Sequence, residues 1–173
     1  GEGFGRLGVA AVYKSLGRNF AAAGAWDKIG RWTNPVNVKG PYVDLSYPIM
    51  GNLKLVANGE FLEWKDTAQV GTAPWSFGVK DDEITKAEAG LKWGISKANS
   101  LALGYEWVKF DAKTAGSDEA VETYLTIGWA HECSANSGVK VGYQFINYDN
   151  GNSGPYGADY RGGLGVVQFG VSF

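Results

Sequence analysis

The sequence predicts an all-β fold, an antiparallel up-and-down transmembrane β-barrel or the C-terminal portion of a larger one. Apolar and polar residues alternate along its segments, which is the side-chain period of a β-strand. Most segments are nearer the ~10 residues that cross a bilayer at a tilt than the ~5–6 residues typical of soluble strands. The connections also alternate, because MGN, SKAN and CSANSG are short, whereas 66–82, 111–118 and 150–162 are longer and polar. This asymmetry is typical of barrels whose long loops all lie at one end.

The first two candidate strands span residues 4–15 and 19–28, and each carries one face of apolar or small residues. In the first strand this outward face is Leu7, Val9, Ala11 and Tyr13. In the second, within RNFAAAGAW, it is Phe20, Ala22, Gly24 and Trp26. Alternation of this kind predicts a strand with one face toward an apolar surrounding.

Three central candidate strands span residues 41–49, 52–65 and 83–96. Their odd-numbered positions hold apolar residues, namely Val43, Leu45, Tyr47, Leu53, Leu55, Phe61, Leu91, Trp93 and Ile95. Their even-numbered positions hold polar or charged residues, including Asp44, Lys54, Glu60, Lys86, Glu88 and Lys92. The polar face is therefore the same in strand after strand.

The last four candidate strands span residues 99–110, 119–132, 138–149 and 163–173. They repeat the alternation, with Leu101, Leu103, Leu125, Ile127, Val139, Val141, Val167 and Phe169 outward. In the final strand, apolar residues continue to alternate as far as Phe173, the last residue. A soluble domain normally frays into water at its terminus, so this ending favours an apolar surrounding. A soluble sandwich or calyx is the alternative fold.

Composition excludes several functional classes. Sixteen basic against eighteen acidic residues give a net charge of −2, so no overall field attracts nucleic acid, and we predict no nucleic-acid partner. Cys133 has no second cysteine to pair with, and with His131 it makes an incomplete metal site. Glu88 and Glu106 have no neighbouring nucleophile or oriented base. We therefore predict no metal, no cofactor and no catalytic residue.

The charged residues of the inward face are the candidate functional residues. Unpaired charges are costly in a dry interior, so these side chains require either cross-strand ion pairs or water. As a wetted wall they would influence ion preference, and their balanced signs predict weak selectivity. The candidate pore-lining residues are Arg6, Lys14, Asp44, Lys54, Glu60, Lys86, Glu88, Lys92, Glu106, Glu122 and Lys140.

The strand count leaves two arrangements of the single region 1–173. Nine strands beginning on the loop side are unusual, because single-chain bacterial barrels have even numbers. In the favoured arrangement the nine strands are the C-terminal portion of a larger barrel, and we expect sequence upstream of Gly1. In the other arrangement residues 16–40 form one long loop and eight strands close alone.

The ending VVQFGVSF resembles the C-terminal signature of bacterial outer-membrane proteins. That resemblance implies that Phe173 is part of an assembly signal read by the barrel-assembly machinery. The wider sequence pattern, with polar turns followed by alternating strands as in SKANSLALGYEWVKFD and DYRGGLGVVQFGVSF, is similar to the C-terminal part of porins that carry S-layer-homology modules. This similarity implies that the protein is located in the bacterial outer membrane and contacts its lipid. It also allows for a homo-oligomer.

These observations lead to one expected function and one alternative. We expect a porin-type barrel that lets ions and small hydrophilic solutes diffuse passively, and not an enzyme. The alternative is a small eight-stranded structural barrel whose interior is salt-bridged and non-conducting, because eight strands leave room only for side chains.

Overall fold

The computed structural model describes residues 6–17, 36–66, 80–113, 119–151 and 158–171, and these residues form one antiparallel sheet of eight strands. Each strand pairs with the next one along the chain, so the topology is up-and-down, as predicted. Within the described ranges no helix is long and apolar enough to cross a membrane. The strands are β1 Gly8–Ser15, β2 Val38–Met50, β3 Leu53–Trp64, β4 Glu83–Gly94, β5 Asn99–Asp111, β6 Ala120–Ser134, β7 Ser137–Asp149 and β8 Tyr160–Val171.

The connections have the predicted alternation of length. Short turns join β2 to β3, β4 to β5 and β6 to β7 at one end of the sheet, and the longer connections lie at the other end. We call these the turn end and the loop end. The predicted strand 19–28 lies outside the described residues. β1, which precedes it in the chain, pairs antiparallel and directly with β2, which follows it.

The strand register keeps residues of one parity on one face across the whole sheet. For example, Leu55 pairs with Leu91 and Leu103 pairs with Ile127, and all four are odd-numbered. Pairings match odd with odd and even with even except at Met50–Leu53 and Ser134–Ser137, where the register shifts beside two short turns. Because side chains also alternate between faces, the parity seen in the sequence becomes a property of the sheet.

The odd-numbered face presents large apolar side chains that are exposed. The exposed fractions of these side chains run from 37% at Leu101 to 76% at Phe169. All eight strands contribute: Val9, Tyr13, Leu45, Ile49, Leu55, Phe61, Leu91, Trp93, Leu101, Leu103, Tyr105, Leu125, Ile127, Trp129, Val141, Tyr143, Phe145, Val167, Phe169 and Val171. This face is the convex one, because a cavity on the even-numbered side is bounded by strands β3 to β8.

The even-numbered, concave face contains the buried core of the described residues. The core lies at the loop end and consists of Val36, Val38, Leu62, Trp64, Ile84, Val108, Tyr124 and Ile146. Leu16, Phe110 and Tyr160 pack against it, so residues from the β1 end to β8 contribute. The prediction of a polar inward face therefore holds for only part of that face.

Gly40, in β2, shows why one strand position needs glycine. Its φ is +154°, in a region that side chains rarely adopt. A Cβ at this position would lie 1.9 Å from the backbone oxygen of Phe61 on β3. Only glycine lets the two strands approach this closely.

Strands β1 and β8 are the two edges of the sheet. In the part of the chain that the structure describes, β1 pairs only with β2, and β8 pairs only with β7. The concave side of β1 is also exposed, as Val12 illustrates. Both edges thus have backbone groups available for further pairing.

Candidate functional site

The concave face is divided into three zones along the strands. The loop half is the buried core around Leu62, Trp64, Ile84, Val108 and Ile146. The charged layer comprises Lys14, Glu60, Lys86, Glu88 and Glu106. The turn half comprises concave positions toward the turn end, which include Lys54, Gly90, Lys92, Ala102, Gly104, Thr126, Gly128, Ala130, Lys140, Gly142, Gln144, Leu164, Val166 and Gln168.

Lys86 is the centre of the charged layer. Its Nζ lies 3.3 Å from Oε2 of both Glu88 and Glu106, and 3.6 Å from Oε1 of Glu60. Lys14 donates a hydrogen bond from Nζ to Oε2 of the same Glu60. Two lysines thus face three glutamates across β1, β3, β4 and β5, and one acidic charge is in excess.

Burial makes this network more than a set of surface ion pairs. The Lys86 side chain is 10% exposed, and those of Glu60 and Glu106 are 5% and 8% exposed. Removing such groups from water costs several kcal/mol per ion unless partners satisfy them. Strand pairing supplies the partners, because Glu60 lies directly opposite Lys86 in the register.

Glu122 lies in the loop half and is fully buried. Tyr124 donates its hydroxyl to Oε2 of Glu122 at 2.6 Å, and Tyr160 of β8 donates to Oε1. The ring of Tyr160 stacks on that of Tyr148, with centroids 4.9 Å apart. Glu122 was predicted with the pore-lining residues, but it sits among aromatic side chains and not at the wall of the cavity.

A partly open cavity of about 550 Å³ lies over the turn half and extends to the charged layer. Its floor is made of small residues on adjacent strands, such as Ala102, Gly128 and Gly142, which lie side by side in the register. Lys92 on β4 and Lys140 on β7 border this floor. Small side chains leave the space open, and the two lysines make its walls basic.

Gln144 separates the cavity from the loop half. Its Nε2 donates to Oγ1 of Thr126 at 3.0 Å, and both residues line the cavity. The Oε1 atom of Gln144 is buried and has no hydrogen-bond partner in the described part of the chain. Buried polar atoms are nearly always paired, so this oxygen marks a position where a partner is missing.

Five of the predicted pore-lining residues border the cavity, and two more belong to the charged layer. Lys86, Glu88, Lys92, Glu106 and Lys140 line the cavity. Lys14 and Glu60 lie in the charged layer.

The remaining predicted residues are separate from these. Asp44 is half-buried and pairs in register with Asn58, whose Nδ2 donates to Glu88 at 2.8 Å. Lys54 is exposed and lies opposite Lys92. Arg6 is exposed ahead of β1. Phe173 lies outside the described residues, so its role in assembly stays a prediction.

His131 and Cys133 lie near the turn end, on the odd-numbered face. The Nδ1 atom of His131 donates to Oδ1 of Asn99 at 3.0 Å, and its ring stacks on Trp129. Cys133 is exposed. Within the described ranges no group of three or more His, Cys, Asp or Glu side chains is placed to hold a metal ion.

Sequence reasoning missed Gln144 and the loop-half core. The segment GVKVGYQFINYD contains a signal for both, because the even-numbered positions change from Lys140 and Gly142 to Gln144, Ile146 and Tyr148. Within this one strand, the inward-facing side chains thus become bulkier and less polar toward the loop end.

Comparison of the chain with protein-family models, with curated proteins and with solved structures gave no match.

Proposed function

We propose that this chain forms the wall of a porin-type barrel in a bacterial outer membrane, through which ions and small hydrophilic solutes diffuse passively. The observation that carries the proposal is the separation of side chains between the two faces of the sheet. Exposed apolar side chains cover the convex face, whereas the charged layer and the cavity lie on the concave face.

The convex face is too apolar and too continuous for a protein surrounded by water. Soluble monomers rarely expose contiguous apolar patches larger than a few hundred Å². Here large apolar side chains are exposed on every strand, and they include Leu103, Tyr105, Ile127 and Phe145 on neighbouring strands. Lipid contact explains such a surface, because outer-membrane barrels face the bilayer with an apolar band.

The lysines of the turn half favour an aqueous lumen over a dry interior. Lys54, Lys92 and Lys140 are exposed on the concave face and make no ion pair within the described part of the chain. An unpaired ammonium group in a dry interior is costly, so these side chains require water.

The edge strands favour a barrel wider than eight strands. Backbone groups cannot face lipid without hydrogen-bond partners, so β1 and β8 must pair in a membrane. Exposed concave residues on β1, such as Val12, favour pairing with further strands over closure on β8. About 16 strands leave an aqueous channel, whereas eight leave space only for side chains.

The loop half supports a second candidate function, a non-conducting structural barrel. Leu62, Trp64, Ile84, Val108 and Ile146 fill the concave face at the loop end. If β1 paired with β8, this core and the charged layer would close the interior. The two candidates therefore predict different behaviour in the same measurement.

Reconstitution into a planar lipid bilayer separates the two candidates. We expect the outer-membrane protein, extracted in detergent, to give steady and ohmic conductance steps. Extraction buffer without protein is the control. A protein that inserts into vesicles and gives no conductance steps would contradict the porin proposal and favour the structural barrel. A protein that is monodisperse without detergent would contradict both.

A further inference from the structure

We infer that the turn half of the concave face is a binding site for small hydroxylated carboxylate anions. The inference rests on the proposed function, since it names the class of solute that the lumen recognises. It combines the unpaired lysines, the cavity between them and the unpartnered oxygen of Gln144.

The lysines give the turn half a positive charge. Lys92 and Lys140 border the cavity, and Lys54 lies beside Lys92 in the register. No ion pair holds any of the three within the described residues. Glu132, which is exposed beside the short turn at the end of β6, is the one acidic residue on the turn-end side of the concave face among the described residues. Three lysines against one glutamate leave a surplus that attracts anions.

The charged layer confines an anion to the turn half. Lys86 also lines the cavity, but three glutamates surround it, and the layer as a whole has one acidic charge in excess. A carboxylate ligand is therefore attracted by Lys92 and Lys140 and repelled by Glu88 and Glu106. Its charged group should face the turn end, and its uncharged part the charged layer.

The cavity has the size and shape for a small organic ligand. Its volume of about 550 Å³ lies in the ~300–1,000 Å³ range of ligand pockets. The floor of Ala102, Gly128, Ala130 and Gly142 separates Lys92 from Lys140 by the width of two strands, β5 and β6. Lysine side chains are long enough to reach inward from both sides onto a ligand that rests on this floor.

Gln144 supplies the feature that selects for a hydroxyl group. The residue is 8% exposed and lines the cavity, and its Nε2 is already used by Thr126. Its Oε1 is buried and accepts no hydrogen bond from the residues that the structure describes. A carboxylate cannot supply the missing donor, but a hydroxyl group on the same ligand can. A hydroxy acid therefore satisfies the lysines and the glutamine together.

Malate and succinate form a matched pair of probes, because they differ by one hydroxyl group. Isothermal titration of the detergent-solubilised protein should show malate binding more tightly than succinate by about tenfold, as expected for one added hydrogen bond to a buried acceptor. The Lys92→Gln, Lys140→Gln double variant should lose binding of both anions. Gln144→Leu should retain succinate binding and lose the preference for malate. Lys97→Gln, in the exposed β4–β5 turn, is the control and should bind as the unmodified protein does.

Bilayer recordings of the same proteins distinguish this inference from the proposed function. In a potassium chloride gradient the reversal potential should favour chloride, and the double lysine variant should shift it toward potassium. Malate binding that depends on Lys92 and Lys140, without any conductance, would support the site and overturn the porin proposal. Conductance without malate binding, or with equal binding to the double lysine variant, would overturn the site and leave the porin proposal standing.

Discussion

The loop half and the turn half lie on the same face of the same strands, yet one is filled and the other is empty. In the loop half, Leu62 and Val108 are buried in a continuous core, and the buried Glu122 accepts hydrogen bonds from two tyrosine hydroxyls. In the turn half, the equivalent inward positions of the same strands hold small residues and lysines around a cavity. The charged layer around Lys86 forms the boundary.

The difference shows that alternation alone does not decide what a barrel-like interior does. Each strand presents every second side chain to the concave face, whatever that side chain is. Large apolar residues convert that face into a core, and glycine and alanine convert it into a cavity. Strand β5 does both within one segment, because Ala102 and Gly104 face the cavity and Val108 faces the core.

The largest expected effect tests the boundary between the two halves. Lys86→Met should lower the free energy of unfolding by about 3–5 kcal/mol, because it leaves buried glutamates without their shared cation. Lys92→Met, six residues later on the same strand, should change it by no more than about 0.5 kcal/mol, since Lys92 is exposed and has no acidic partner among the described residues. Urea unfolding in lipid vesicles, followed by tryptophan fluorescence, measures both. Equal losses would mean that the charged layer is as wet as the turn half.

A smaller effect compares packing in the two halves through one pair of leucines. Leu62→Ala should cost about 2–5 kcal/mol, because it opens a cavity in the buried core. Leu164→Ala should cost about 1 kcal/mol or less, because Leu164 already borders the open cavity and its loss creates no new closed space. The same unfolding assay applies. A Leu164→Ala variant as unstable as Leu62→Ala would show that the turn half is packed.

The smallest effect concerns the exposed rim of the loop half. A hydrogen bond to Glu83 raises the pKa of Lys113 above its ordinary 10.5, and the Nζ–Oε1 distance is 3.0 Å. Because the pKa of Lys113 is higher in the folded state, this contact stabilises the fold at pH values below the pKa that Lys113 has in the unfolded state. The stabilisation is lost as the pH rises through the folded pKa.

The unmodified protein and Lys113→Gln should therefore differ slightly at neutral pH and become equal at a pH above the folded pKa. Thermal unfolding at the two pH values measures this. A difference that grows with pH would contradict the assigned sign. Added salt should reduce the difference at neutral pH, because exposed ion pairs are screened.

The sequence by itself determined the eight strands that the structure describes, their direction and the chemistry of the convex face. These follow from local features, because the side-chain period of two and the lengths of the connections can be read without knowing which strands pair. The predicted segments 99–110 and 138–149 match β5 and β7 closely, with β5 one residue longer at its end and β7 one residue longer at its start. The odd-numbered apolar residues became one face because the pairings match odd with odd away from the two register shifts at the turn end.

Only the tertiary structure decided which inward residues meet. Lys86 and Lys92 have the same residue type, strand and face, and the sequence treats them alike. Strand register places Lys86 opposite Glu60 on β3 and diagonal to Glu106 on β5. Lys92, in contrast, lies between Lys54 and Ala102. Register and curvature join residues that are distant in the chain, and neither is encoded in the period of a single strand. For that reason the charged layer, the buried core and the buried, unpartnered oxygen of Gln144 became visible only when the strands were paired.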